Sequence, residues 1–296
     1  MYSFRQPPTP ATCPRCGGSI ESKLNPFCPA CEFDLRYGHV KPIAAGKCIY
    51  CEEIGELSRE HIFGRWLIDT YGRQTSHTRH IVGRPERHAF WERVPFHHDD
   101  PKSKQGDVFD MKVSNVCATC NNGWMSEVHS AAKSLVMRLA DGCWQVHIES
   151  ECLALARWIA MVSINLECQG RILNTPQHQR TALMQGVMPA GWQIGFGTVN
   201  ERVRGSRFQP AAVPIGMGDG EPLYMNSCFF FIERAVFHSR SSFGDAPLQL
   251  AILGGGLSEI QLPTTPLWPI GAREVNTLFR GAALSVEQVG MLSLPM

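Results

Sequence analysis

The chain lacks several features that would assign it to a common class of protein. No apolar run of about 18 residues occurs, so the sequence contains no candidate transmembrane helix. The N-terminal residues MYSFRQPPTPATC lack the charged and then apolar segments of a secretory signal. Three glycines at 254–256 follow a predicted strand without the GxGxxG pattern of a phosphate-binding loop. The sequence therefore predicts a cytoplasmic protein with no membrane partner.

The chain also lacks an excess of charge of either sign. It has 28 Lys and Arg against 27 Asp and Glu, a formal net charge of +1. This balance does not exclude nucleic acid as a partner, but it requires any nucleic-acid-binding surface to be local. The length of 296 residues, with 44% hydrophobic residues, allows a sizeable core. It predicts two domains, or one domain with appendages.

Cysteine, in contrast, is abundant, with twelve residues in the chain. In a cytoplasmic protein this indicates metal binding or buried thiols rather than disulfides. Eight cysteines form four CxxC pairs, which are Cys13 and Cys16, Cys28 and Cys31, Cys48 and Cys51, and Cys117 and Cys120. Eight thiolates suffice for two tetrahedral zinc ions. The other four lie among apolar residues and are interpreted as core thiols: Cys143, Cys152, Cys168 and Cys228.

The first two pairs predict a zinc ribbon in residues 1–40. A segment of about 40 residues cannot be stabilised by hydrophobic burial alone, whereas a structural zinc contributes on the order of 10–16 kcal/mol. Gly17 and Gly18 follow the first pair and suit the tight turn of a zinc knuckle. The predicted ligands of this first structural zinc are Cys13, Cys16, Cys28 and Cys31.

The other two pairs predict a second structural zinc, although 65 residues separate Cys51 from Cys117. Apolar side chains then recur at helical spacing, at Trp124, Val128, Ala131, Leu135 and Leu139. Asn121 or Asn122 is the expected N-cap of this helix, and Gly142 the expected end. The polar residues at about 72–107 have no steady periodicity and predict a long inserted loop. The predicted ligands of the second zinc are Cys48, Cys51, Cys117 and Cys120.

Residues 143–296 have a different character. ECLALARWIAMVSINLE (151–167) is apolar on almost every side and predicts a buried helix. RTALMQGVM predicts a second, short helix. Three segments rich in β-branched and aromatic residues predict strands: GWQIGFGTV, CFFFIERAVFHS and PLQLAILG. The predicted fold class is therefore α+β, with an α+β domain of unknown role at 143–296.

The motifs CIYC, SREHIF and CATCNNGW, in this order and with a helix predicted after the last, resemble the zinc-clamped form of the HNH endonuclease family. The resemblance covers about residues 48–140 and extends to a bacterial subgroup of that family. It implies a ββα-metal module at 41–142, in which two strands and a helix form the fold and the paired CxxC motifs hold its base together around the second structural zinc. It also implies an enzyme that hydrolyses phosphodiester bonds, with DNA as its partner.

The resemblance assigns a role to each matching residue. His61 matches the general base, and Glu60 matches the acidic ligand of a catalytic divalent cation, Mg²⁺ or another. Asn121 matches the ligand at the start of the helix, and its neighbour Asn122 could substitute for it. The middle Asn of the family, which orients the general base, is matched most nearly by Asn115, at a spacing that departs from the pattern.

These residue types suit phosphodiester hydrolysis. An imidazole can be unprotonated near neutral pH and still accept a proton from water. A hard divalent cation held by oxygen ligands neutralises the charge that develops on the phosphate. A zinc with four thiolate ligands has no open position and contributes no catalysis. Two alternatives stay open: a non-catalytic zinc-binding module for nucleic-acid or protein interaction on the same scaffold, and an enzyme that cleaves RNA.

Overall fold

The computed structural model describes residues 46–73, 79–82, 102–105, 107–143, 149–169, 173, 175–213, 223–243 and 265–268. The predicted ribbon at 1–40, with its four cysteines, lies outside the described residues, as does the predicted strand PLQLAILG. Helices and small antiparallel sheets make up the described part, which confirms the α+β prediction. No helix in this part combines the length and the apolar character that crossing a membrane requires.

Two strands distant in sequence form the first sheet. β1 (Leu57–His61) pairs antiparallel with β4 (Lys112–Cys117), with Leu57 opposite Cys117 and His61 opposite Lys112. Between them lie α1 (Trp66–Tyr71) and a separate pair of strands, β2 (Arg79–Val82) and β3 (Lys102–Gln105). The predicted insertion at 72–107 thus contains a two-stranded sheet.

Strand β4 leads directly into a helical segment. This segment consists of α2 (Ala118–Cys120), a π-helical turn (Asn121–Met125) and α3 (Ser126–Ala140). The N-cap is Cys117, whose Sγ accepts a hydrogen bond from the Cys120 amide, rather than Asn121 or Asn122. As predicted, the helix ends before Gly142, which has φ of 89°.

The C-terminal part supplies two helices and a three-stranded sheet. Its elements are α4 (Glu149–Gln169), α5 (Gln177–Met184), β5 (Trp192–Val213), β6 (Leu223–Phe243) and β7 (Thr265–Trp268). The sheet order is β6-β5-β7, and α4 is the buried helix that the sequence predicted.

The larger of two hydrophobic clusters in the described residues extends across the predicted domains 41–142 and 143–296. Trp158 of α4 lies at its centre, with ring contacts to Trp66, Phe230 and Phe237 at centroid distances of 5.6–6.4 Å. Phe63, which follows β1, packs edge-on against Phe230 at 5.5 Å. The division of the chain at residue 142 stays a prediction, but side chains from both sides of it are packed together.

Candidate metal centre and active site

Four cysteines converge at one end of the β1–β4 pair. The Sγ atoms of Cys48, Cys51, Cys117 and Cys120 all lie within 4.8 Å of one another. The Sγ atoms of Cys51 and Cys117 are 3.7 Å apart. In a tetrahedral site with Zn–S bonds of about 2.3 Å, the sulfur atoms are about 3.8 Å apart. The four cysteines can therefore hold a metal ion in tetrahedral geometry.

The first cysteine pair is fixed in place by α5 and α4. Arg180 donates from Nε to the Ile49 carbonyl at 2.6 Å. Gln177 donates from Nε2 to the Tyr50 carbonyl at 2.6 Å, and the Tyr50 hydroxyl donates to Asn165 at 2.9 Å. Ile49 and Tyr50 are themselves buried in the core. The loop between Cys48 and Cys51 is thus held on both its backbone and its side chains.

The thiols of the cluster differ in how readily they ionise. Burial raises the pKa of the Cys51 and Cys120 thiols above its ordinary value. Burial acts in the same direction on Cys48, but hydrogen bonds from backbone groups outweigh it and lower the pKa of that thiol. Because the cysteine ligands of a metal ion are thiolates, binding of a cation would release the protons that burial holds on Cys51 and Cys120.

His61 lies at the opposite end of the strand pair, four residues and roughly 13 Å along β1 from Leu57. Its side chain is 20% exposed, and its Nε2 is 3.4 Å from Oδ1 of Asp110. Two cations also contact this carboxylate: Nζ of Lys112 at 3.6 Å from Oδ1, and Nη2 of Arg73 at 3.4 Å from Oδ2. Oδ1 of Asp110 is buried and has no hydrogen bond within normal distance in the described residues.

The charge state of His61 reflects these neighbours. Burial and the charge of Lys112 lower the pKa of His61 below its ordinary value, against the opposite effects of Glu60 and Asp110. The imidazole is therefore neutral at neutral pH. Nε2 and Oδ1 are in contact at 3.4 Å without a hydrogen bond; a neutral ring that donates to this carboxylate carries its proton on Nε2 and has Nδ1 as its basic nitrogen.

Glu60 points the other way, into the protein. Its Oε1 lies 3.6 Å from Nε2 of His129 on α3, and both side chains are about nine-tenths buried. Nδ1 of His129 accepts a hydrogen bond from the Trp158 indole at 3.0 Å. Since an indole N–H can only donate, the proton of a neutral His129 is on Nε2, directed at Glu60. Nε2 contacts the carboxylate without a hydrogen bond in the described residues, and a protonated Nε2 is not available as a metal ligand.

The three asparagines of the motif occupy different environments. Asn121 is partly buried and donates from Nδ2 to Oγ of Ser58 on β1 at 3.2 Å, which leaves Oδ1 as the amide atom able to bind a cation. Asn122 is exposed. Asn115 lies nearer the cysteine end of β4, where its carbonyl accepts from the Ile49 amide at 2.9 Å and its side chain contacts the Cys168 thiol.

Two residues of this region were missed by sequence reasoning. Asp110 could have been found from strand pairing: with His61 opposite Lys112, residue 110 must lie just beyond His61. His129 follows Val128 on the apolar face of α3, where a buried histidine is most often a core residue. Its role depends on Trp158, which no local pattern connects to it.

Comparisons of the chain with protein-family models, with curated proteins and with solved structures found no match. A function must therefore be argued from the side chains themselves. These are a cysteine cluster able to hold a metal ion, and, at the other end of the same strand pair, a partly exposed histidine that follows Glu60 and faces Asp110.

Proposed function

We propose that the chain is a metal-dependent endonuclease of the HNH type that hydrolyses phosphodiester bonds in DNA. The observation that carries this proposal is the partly exposed His61, whose Nε2 faces the Asp110 carboxylate at 3.4 Å and whose pKa is lowered. The motifs CIYC, SREHIF and CATCNNGW support it through their resemblance to that family.

In this proposal His61 is the general base. Its Nδ1 takes a proton from the water that attacks the phosphorus, while Asp110 holds the ring through Nε2 and stabilises the imidazolium that forms. Because the pKa of His61 is lowered, the imidazole is unprotonated before the reaction begins. Arg73 and Lys112, which flank Asp110, place positive charge where a phosphate of the substrate would bind.

The resemblance gives the Glu60 carboxylate and Oδ1 of Asn121 as the ligands of a hard divalent cation, Mg²⁺ or another; Glu60 now faces His129 and Asn121 contacts Ser58, so both side chains would turn toward His61 to bind it. Both are oxygen ligands of the type that Mg²⁺ prefers, and bound Mg²⁺ would neutralise the charge developing on the phosphate. His129 contributes by directing Nε2–H at Glu60. Among the His, Cys, Asp and Glu side chains of the described residues, the cysteine cluster is the only group of three or more placed to hold a metal ion, so most remaining Mg²⁺ ligands would be water and substrate.

The cysteine cluster has a different role in this proposal. Four sulfur ligands at this spacing suit zinc, which would join the loop after residue 46 to the start of the helical segment. A zinc with four thiolate ligands leaves no position for water or substrate. It therefore stabilises the β1–β4 pair and the helix without taking part in the chemistry.

A second candidate function is a non-catalytic zinc-binding module that binds nucleic acid or protein. The observation that favours it is that the described residues contain no group of three or more His, Asp and Glu side chains placed to hold a metal ion. This candidate predicts binding without cleavage, whereas the nuclease predicts cleavage that depends on His61.

The decisive experiment is cleavage of supercoiled plasmid with Mg²⁺ or Mn²⁺ by the wild type and by His61→Ala. Loss of a general base should lower the rate by about 10²–10⁴-fold. Activity should disappear when EDTA removes the divalent cation and return when excess Mg²⁺ is added. Parallel reactions with single-stranded DNA and RNA identify the substrate.

The matched control is His178→Ala, which removes an exposed histidine of α5 and should leave cleavage unchanged. Equal cleavage by the wild type and His61→Ala would refute the role of His61. Binding of DNA without any cleavage would favour the non-catalytic module.

A further inference from the structure

A buried arginine of the C-terminal sheet connects it to the residues around His61. Arg204 on β5 has a side chain that is only 6% exposed, and its polar contacts in the described residues are with carbonyl and carboxylate oxygens. Its Nη1 and Nη2 donate to the carbonyls of Gly72 and Tyr71, each at 2.8 Å. Its Nη1 is also 3.2 Å from Oδ2 of Asp107, and its Nε donates to Glu233 at 2.6 Å.

These contacts fix the turn that carries Asp110. The Oδ1 of Asp107 accepts from the Phe109 amide at 2.8 Å and so caps the short helical turn Val108–Asp110. The Arg204 guanidinium also lies over the Phe109 ring, 4.7 Å from its centroid. The turn is thus held at its cap and at its middle residue, and Asp110 is its last residue.

The same arginine also holds the end of α1. Tyr71 and Gly72, which supply the two carbonyls, immediately precede Arg73. Arg73 and Asp110 contact each other at 3.4 Å, and Asp110 faces His61. One side chain from the C-terminal sheet therefore contacts both backbone segments that lead to the Arg73–Asp110 pair beside His61.

The pairing of β5 with β6 is irregular next to Arg204. β5 and β6 are in register up to Thr198 opposite Ala235, and again from Val203 opposite Glu233, so residues 199–202 form a bulge opposite Arg234 alone. Glu233 has φ of 53°, an unfavourable conformation for a residue with a side chain. Its carboxylate is only 3% exposed and receives the Arg204 Nε. Such strain persists where surrounding contacts enforce it.

We propose that Arg204, fixed by Glu233, is a positioning residue that holds the Asp107–Asp110 turn so that the Asp110 carboxylate faces His61. The inference rests on the proposed function and gives the C-terminal sheet a role in it. Arg204 touches neither substrate nor reacting atoms, and acts through Asp110. Its planar guanidinium serves four acceptors at once, whereas a lysine ammonium is a single point of charge.

The test measures kcat and KM for plasmid nicking by Arg204→Met and Arg204→Lys, each alone and combined with Asp110→Asn. We expect Arg204→Met to lower kcat by roughly 10²-fold, the effect of a misplaced catalytic geometry, and Arg204→Lys to lower it less. In the Asp110→Asn background either substitution should change kcat by no more than about twofold, because the two residues act on the same step. Arg204→Lys keeps the buried charge and decides the test if Arg204→Met does not fold.

Arg202→Met is the matched control. Arg202 is on the same strand and contacts the same Glu233 carboxylate at 3.5 Å, but it is 66% exposed. Both methionine variants lose one positive charge, so a general electrostatic effect on DNA binding should change KM equally in the two. Only Arg204→Met should lower kcat, and only Arg204→Met should speed hydrogen exchange at residues 107–111.

The outcomes separate the two proposals. A wild type that cleaves no nucleic acid overturns the proposed function and this inference with it. Active protein in which Arg204 and Asp110 substitutions have fully independent effects on kcat overturns this inference alone. Unchanged hydrogen exchange at residues 107–111 in both Arg204 variants overturns it as well.

Discussion

One hydrogen bond decides which nitrogen of His129 carries the proton. The Trp158 indole donates to Nδ1 at 3.0 Å, so Nε2–H is directed at Glu60. The ring of His129, which contacts Glu60, is therefore oriented by a tryptophan 29 positions further along the chain.

The packing of Trp66 and His129 requires a glycine at position 64. Its φ is +81°, and a Cβ at this position would lie 2.5 Å from Nε1 of Trp66 and 2.9 Å from Nδ1 of His129. We expect Gly64→Ala to lower the free energy of unfolding by roughly 2–5 kcal/mol, through backbone strain and overpacking together. Urea denaturation monitored by tryptophan fluorescence measures this change.

Gly46→Ala is the control for backbone strain. Gly46 has a similar φ of +73°, but no atom lies within 4 Å of where its Cβ would be. Its substitution should lower stability by only about 1–2 kcal/mol. Equal losses for the two variants would show that the space between Trp66 and His129 can accept a methyl group, contrary to the packing described.

At the scale of elements, β6 contains a histidine that is buried in neutral form. His238 stacks on Phe229 with ring centroids 4.0 Å apart, and its Nε2 lies 3.3 Å from Oγ of Ser227. Burial, together with the charge of Arg240, lowers the pKa of His238 to about 3. In an unfolded chain this pKa is about 6.5, so the unfolded state binds the proton first as the pH falls.

Stability should therefore decrease as the pH falls below about 6.5, and the loss continues until the pH reaches the folded-state pKa. Between pH 7 and pH 5 the contribution of His238 is about 2 kcal/mol. We expect His238→Phe, which keeps an aromatic ring against Phe229, to remove this part of the pH dependence. Urea denaturation of both proteins at the two pH values provides the comparison.

His178→Gln, on the exposed side of α5, is the control and should retain the pH dependence of the wild type. A wild type and a His238→Phe variant that lose equal stability between pH 7 and pH 5 would contradict the burial of a neutral imidazole in β6.

Much of the element structure follows from local sequence. The spacing of apolar residues predicts α3 and the burial of α4, and β-branched and aromatic runs predict β5 and β6, because these patterns reflect which face of an element is buried. The helical face is buried at Ala132 rather than at Ala131, a shift of one residue. The pairing of β2 with β3 inside the polar insertion has no such signal.

Contacts between distant elements are what the sequence does not reveal. The CxxC spacing predicts the cysteine cluster, since two pairs of thiolates suit one tetrahedral ion. The approach of Asp110 to His61 depends on the register of β1 with β4, and on Arg204 nearly one hundred residues later. Asn115 was chosen by proximity to the motif alone, and the fold places it beside Ile49 and Cys168.

At the scale of the whole molecule, the C-terminal part supports both ends of the β1–β4 pair. At the cysteine end, Arg180 and Gln177 hold the backbone of the first CxxC loop. At the His61 end, Trp158 orients His129, and Arg204 holds the turn before Asp110. Because a two-stranded sheet with one helix buries little apolar surface, these contacts add the stability that the small unit lacks.

Metal removal tests how far the molecule depends on the cysteine cluster. Cys117 contributes its Sγ to the cluster and also caps the helical segment by accepting from the Cys120 amide. We expect Cys117→Ser to bind one zinc ion fewer per chain than the wild type, measured by elemental analysis of the purified protein. It should also unfold at lower urea concentration, because structural zinc contributes several kcal/mol to folding.

The matched variant is Cys152→Ser, which changes a buried thiol of α4 that does not belong to the cluster. It should keep the zinc content of the wild type. Its free energy of unfolding should fall only by the small contribution of one buried sulfur atom. If the Cys117→Ser protein retains its full zinc content, the four sulfur atoms do not share an ion. The β1–β4 pair would then be held by the core contacts of Trp158 and Arg180 without help from a metal.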